Sequence, residues 1–165
     1  LNELISTATE IQKYKKPTDW KRKPKKDQES FVTNIVETHC MDDINDSFNT
    51  HITYRELYEY LFGINIYSYN GYMDVDVIDI TEVGVNEVEA LLDNVIIKGH
   101  MVGFASVATY TYGIPGLTEE SDPDLLETNL VQLKISYSLA LNSELEYEDF
   151  EVENIEMTHK ALNLS

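Results

Sequence analysis

Carboxylates dominate the chemistry open to this chain. Glu144, Glu146 and Glu148 alternate with Leu145 and Tyr147, and after a bulge expected near Asp149, Glu151 and Glu153 alternate with Phe150 and Val152. Alternate residues of a strand share one face about 6.6 Å apart, twice a rise of about 3.3 Å. Phosphates along one DNA strand advance about 3.4 Å per nucleotide. A ladder of carboxylates at every second residue therefore suits a protein groove built for nucleic acid. It makes these five glutamates the candidate partner contacts. The plainer reading is a solvated sheet face in an acidic protein.

A second group, His39, Cys40, Asp42, Asp43, Asp46 and His51, contains zinc-capable ligand types. Its spacing matches no paired CxxC or HxxxH arrangement, so no metal is expected there. Glu119, Glu120, Asp122 and Asp124 lack the order of a calcium loop. GxSxG, P-loop, HExxH and GxGxxG motifs are absent from the sequence. His100 and His159 fall on strand patterns. In a chain this rich in acid, close carboxylate pairs arise by chance. Neither an enzyme nor a cofactor is expected.

The basic residues are concentrated at one end. Lys13, Lys15, Lys16, Lys21, Arg22, Lys23, Lys25 and Lys26 make up eight of the 12 lysines and arginines, interleaved with Tyr14 and Trp20. That composition suits single-stranded nucleic acid, through phosphate contacts and stacking. The run could equally fold against the acidic body or link it to another domain, and a linker or self-association role is the simpler expectation. From Asp27 onward four basic residues face 27 acidic ones, a formal charge of −23. Such a body repels nucleic acid and attracts basic protein surfaces. Nucleic acid is thus expected to bind through the basic arm, if anywhere.

The positioning elements follow from periodicity. The length, 165 residues, suits a single domain with an arm, and 42% hydrophobic content supplies a core. The division reads as 1–26, an amphipathic segment and basic arm, and 27–165, an acidic α+β domain. Leu1, Leu4, Ile5, Ala8 and Ile11 recur at helical spacing over residues 1–14. Pro17 and Pro24 bracket the basic run and oppose helix there, which predicts a flexible or extended arm. Phe31, Val32, Ile35 and Val36 predict a helix over 28–40, and the polar run CMDDINDSFN predicts a turn region. Thr53 and Glu56 form a capping box for a helix over 54–62, closed by Gly63.

After Ile64 the period becomes two. Val75 and Val77 alternate with Asp74 and Asp76, and Glu87 and Glu89 flank Val88. Strands are predicted over Val95–Tyr112, with bends or bulges at Gly99 and Gly103, over Leu130–Leu141 and over Glu144–Thr158. Residues 117–128 read as an acidic loop. Short turns between long strands predict an α+β fold, with N-terminal helices packed on a four- to six-stranded antiparallel meander. The longest apolar stretch, Val95 to Ala108, is broken by Lys98 and His100 and is too short to span a bilayer. An acidic surface is also repelled by anionic lipid, so no membrane partner is expected. One cysteine, and a start without a basic, apolar leader, point to the cytoplasm.

The strand Val95-Ile96-Ile97-Lys98-Gly99, its Tyr-rich continuation to Tyr112, the acidic loop and the closing Phe150–Glu156 carry a resemblance. Residues 72–158 resemble the β-rich accessory domain that follows PIN-type ribonuclease domains in bacterial defence and toxin proteins. The resemblance implies an accessory role beside a nuclease and carries over no catalytic residue. The expected function is a non-enzymatic acidic module of a phage-defence system. It would dock on a basic surface of a nucleic-acid-processing protein. The alternative is a DNA-mimicking inhibitor made by a phage or mobile element.

Overall fold

A computed structural model describes residues 17–63, 71–111, 124–158 and 162–163. The predicted N-terminal amphipathic segment and Lys13, Lys15 and Lys16 lie outside them, as does most of the 117–128 loop. The fold is α+β: helices packed against an antiparallel meander. The elements are a 3-10 helix (Pro17–Arg22), α1 (Lys25–Ile35), a π-helical turn (Val36–Cys40), α2 (Met41–His51), α3 (Tyr54–Phe62), β1 (Gly71–Ala90), β2 (Val95–Thr111), β3 (Asp124–Leu141), β4 (Tyr147–Met157) and the two-residue β5 (Leu162–Asn163). The strand order is β1-β2-β3-β4, and β5 pairs with β3 beyond the end of β4.

α1, the π turn and α2 run on as one helical rod, so the expected turn region after Cys40 is helix instead. The reason is a row of apolar residues four apart. Val32, Val36, Cys40, Ile44 and Phe48 are all buried against the sheet, and Ile52 continues the row just past the helix end. Burial of Ile44 and Phe48 outweighs the weak helix propensity of the Asp and Asn residues around them. A strict four-residue repeat overshoots the 3.6-residue turn by about 40° at each step. The wider π turn in mid-rod takes up one extra residue and returns the row to the sheet. α3 forms as expected. The Thr53 hydroxyl accepts the Glu56 amide at 3.1 Å, and Gly63 closes the helix at φ 71°.

Trp20 is fully buried and meets Phe31 edge-on, with ring centres 5.7 Å apart. Its carbonyl accepts a hydrogen bond from the Gln28 side chain at 2.9 Å. The expected flexible arm is therefore folded from Pro17 onward, because burying an indole outweighs ordering a short basic turn. Lys25 and Lys26 belong to the first turn of α1.

β1 is a single strand of 20 residues. Its register against β2 slips three times, at Ile78, Thr81 and Asn86, each an extra residue in β1. The bulges expected at Gly99 and Gly103 thus sit in the neighbouring strand, opposite those glycines. They bend β1 and increase its twist. The sheet curls around the rod until both edge strands touch it. Asn45 of α2 exchanges two hydrogen bonds with the Val77 backbone of β1, at 2.7 and 3.5 Å. On the other edge, Tyr147 of β4 stacks on His39. Alternate residues of β2 and β3, among them Ile97, Met101, Ala105, Leu133, Ile135 and Leu139, fill the space between.

Candidate functional site

The register sorts the acidic residues by face. On β2 the buried residues are odd-numbered, so Ile96, Lys98, Val102, Phe104, Ser106 and Ala108 point outward. Their partners on β1 include Asp74, Asp76, Asp79, Glu82, Glu87 and Glu89, all exposed. One outer edge of the sheet is therefore a row of six carboxylates. On the opposite edge, Asp149, Glu151 and Glu156 pair with outward residues of β3. Glu153 reaches over β3 to Lys98, 3.6 Å away. An exposed pair of this kind adds at most about 1 kcal/mol. Between the two acidic rows lies a stripe of small, hydroxyl and apolar side chains on β2 and β3, with Lys98 and Lys134 as its lysines.

The five glutamates predicted as contacts do not share one strand face. β4 begins at Tyr147, so Glu144 and Glu146 lie in the β3–β4 turn. Glu148 is the extra residue of one bulge and Glu153 of another, at the register slips beside Leu141 and Tyr137. All five are exposed, but only Glu151 and Glu153 belong to the outer sheet face. The turn is organised by Asn142. Its Oδ1 accepts the backbone amides of Glu144 at 2.9 Å and Glu146 at 3.0 Å, and Leu145 takes φ 63° between them. A hydrogen bond with Glu144, together with the charge of Glu144, pushes the Glu146 carboxyl above its ordinary range.

Beside this turn a groove of about 340 Å³ opens between α1 with its π turn and the start of β4. Phe31, Ile35, His39, Leu145, Glu146 and Tyr147 line it. The His39 and Tyr147 rings are parallel to within 4°, with centres 5.0 Å apart. On the concave side of the sheet, a trough of about 600 Å³ has Val83, Met101 and Leu133 on its floor and Glu29 at its helical wall. Next to it the Tyr137 hydroxyl is bound to Gly84, and burial pushes its pKa up. The outward-facing His100 at the far side of that sheet is held by Asn86 at 2.8 Å.

The candidate metal ligands are strung along the rod and diverge. Cys40 is buried, and burial followed by the charge of Asp43 pushes its thiol up to about 12. His51 Nδ1 lies 3.0 Å from the Ser47 carbonyl, and His39 is stacked on Tyr147. Among the described residues, no three His, Cys, Asp or Glu side chains gather as a metal-holding group. Among those residues, too, no helix is long and apolar enough to cross a membrane.

The β1 carboxylates were not among the predicted contacts. Their signal was present in Asp74/Asp76 and Glu87/Glu89, but the three bulges change the outward spacing from two to three residues between them. No family model, curated protein or solved structure matches the chain.

Proposed function

We propose that this chain is a non-enzymatic acidic interaction module that docks on a basic surface of a nucleic-acid-processing protein. The observation that carries the reading is the outer sheet face, with carboxylates on both edge strands and, between them, a stripe of small, hydroxyl and apolar side chains that carries only two lysines, Lys98 and Lys134. That arrangement repels nucleic acid and steers basic proteins toward the sheet. In the setting that the resemblance of residues 72–158 implies, the partner is a nuclease of a bacterial defence system and this chain is its accessory. The test is binding to a panel of DNA-binding proteins of strongly basic charge. Wild type is compared with a variant carrying Asp74→Asn, Asp76→Asn, Glu87→Gln, Glu89→Gln, Glu151→Gln and Glu153→Gln. The reading expects salt-sensitive binding that the variant loses at unchanged fold. Binding indifferent to both salt and the substitutions would sink it.

The second reading, a DNA mimic, is favoured by one dimension. The acidic rows on β1 and β4 are three strand spacings apart, about 14 Å. A B-DNA major groove between its phosphate walls is about 12 Å wide. A mimic competes with duplex DNA for its target, whereas an accessory domain leaves DNA binding intact. Adding duplex DNA to the preformed complex separates the two.

A further inference from the structure

The proposed function names a basic partner but not the anchor that holds it. The groove beside the β3–β4 turn has the parts of an arginine-side-chain site. Phe31, Ile35 and Leu145 offer apolar walls for a methylene stem. The parallel His39–Tyr147 pair offers a flat aromatic stack of the kind on which a guanidinium lies. Glu146 stands at the rim with Glu144 beside it. Phe31 already serves a cation, since the Lys23 ammonium sits 4.5 Å from its ring centre. The volume, about 340 Å³, is at the lower end of ligand sites, roughly 300–1,000 Å³, and suits one long side chain rather than a cofactor.

Resting on the docking function proposed above, we infer that this groove captures an arginine of the basic partner. The stem lies between Phe31, Ile35 and Leu145, the guanidinium on the His39–Tyr147 stack and its N–H groups toward Glu146 and Glu144. Lysine fits less well, because its ammonium is a compact point charge that cannot stack or bond in a planar fork. Buried or half-buried arginines are frequent anchors at interfaces, so a single such pocket can dominate affinity over a broad acidic face. The acidic rows on the sheet would then speed encounter, and the groove would set residence time.

The test uses the full chain and two fluorescent probes of equal charge, nona-arginine and nona-lysine, followed by anisotropy. Wild type is expected to prefer the arginine peptide by at least fivefold. Glu144→Gln with Glu146→Gln should weaken that binding at least tenfold. So should Asn34→Trp, which places an indole in the groove from an exposed helix position. Asp74→Asn with Asp76→Asn makes the same change in charge on the outer face and should cost less than threefold. Melting curves check that each variant is folded. Equal losses from both double variants, with Asn34→Trp silent, would overturn the groove while leaving the acidic module standing. Failure of wild type to bind either peptide or any protein of the basic panel would sink the module itself. Self-association abolished by Asn34→Trp would make a second copy the occupant and overturn the inference.

Discussion

The Tyr137 hydroxyl on β3 donates to the Gly84 carbonyl on β1 at 2.9 Å, bridging β2 where it carries Gly99. The contact exists only because Gly99 has no side chain. A Cβ there would lie 2.0 Å from the Gly84 oxygen, which is backbone and cannot swing away. Gly99 thus allows the close approach that the bulge at Asn86 produces, and Tyr137 covers the gap from the third strand.

Gly99→Ala is therefore expected to destabilise the fold by more than about 3 kcal/mol, since β1 must be displaced to admit the methyl group. Tyr137→Phe keeps the ring and loses only the hydrogen bond, at a cost of about 1 kcal/mol. Urea unfolding of the two variants checks the order. A Gly99→Ala protein as stable as wild type would disprove the close approach.

Trp20→Ala should cost about 3–5 kcal/mol, in the range of large aromatic truncations in cores. The indole is fully buried and locks the 3-10 helix to Phe31. Cutting the chain at Asp27 should cost at least as much, because it removes the Trp20 side chain together with the carbonyl that accepts the Gln28 hydrogen bond. A thermal melt of each against the full chain decides whether the basic stretch from Pro17 is part of the domain.

Much of this was legible in sequence and some was not, for definable reasons. The helix at Tyr54–Phe62 could be read because its capping box and glycine stop are local. The central strands could be read because Val95 to Thr111 is a long run rich in Val, Thr, Tyr and Phe and Leu130 to Leu141 alternates apolar with polar residues. The rod beyond Cys40 was hidden by the polar residues Asp42, Asp43, Asn45 and Asp46, although Cys40, Ile44 and Phe48 kept the four-residue row. Trp20 was hidden by its basic neighbours, and burial of an aromatic inside a charged run has no local signature. The acidic row on β1 was hidden by bulges, each of which shifts the outward phase by one residue. Glu144 and Glu146 looked like strand because alternation cannot distinguish a strand from a turn held by Asn142.

Stability should fall at alkaline pH. The folded thiol of Cys40 is pushed up to about 12 from an ordinary 9.0, so the folded state keeps a proton that the unfolded chain loses. The stabilisation is full below pH 9 and is lost as pH rises toward 12, at up to about 1.4 kcal/mol per unit. Tyr137 is raised in the same direction by burial. The urea midpoint is expected to drop between pH 8.5 and about 10.5, and less steeply in Cys40→Ala. The same thiol should resist alkylation at pH 8 until the protein is unfolded. A midpoint that rises with pH would contradict the burial of both groups.

Asn142→Ala should remove the acceptor that serves two turn amides and cost about 1–2 kcal/mol. The turn also seats Leu145 and Glu146 in the groove wall, so arginine-peptide binding should weaken in parallel. Asn142→Asp keeps the acceptor and should retain most of the stability. Equal losses from both would mean that the amide side chain acts through something other than those two hydrogen bonds.

The acidic row on β1 has a structural role to be separated from its docking role. β1 is an edge strand of 20 residues, and such an edge invites pairing with another chain unless charge or bulges prevent it. β1 has both: three bulges, and Asp74, Asp76, Asp79, Glu82, Glu87 and Glu89 along its outward side. Replacing Asp74, Asp76, Glu87 and Glu89 by Asn or Gln relieves like-charge repulsion, so the melting temperature should rise at low salt. The gain should shrink at physiological salt, where exposed charges are screened over about 8 Å. If the row is only edge protection, the variant aggregates on concentration while binding to the basic panel is unchanged in its monomeric fraction. If it is the docking surface, the monomer binds that panel at least tenfold more weakly, and its residual binding depends less steeply on salt. Light scattering, melting temperature and panel affinity measured on the same preparation distinguish the outcomes. Unchanged affinity in a soluble monomer would leave the β3–β4 groove without an acidic sheet face to steer partners toward it.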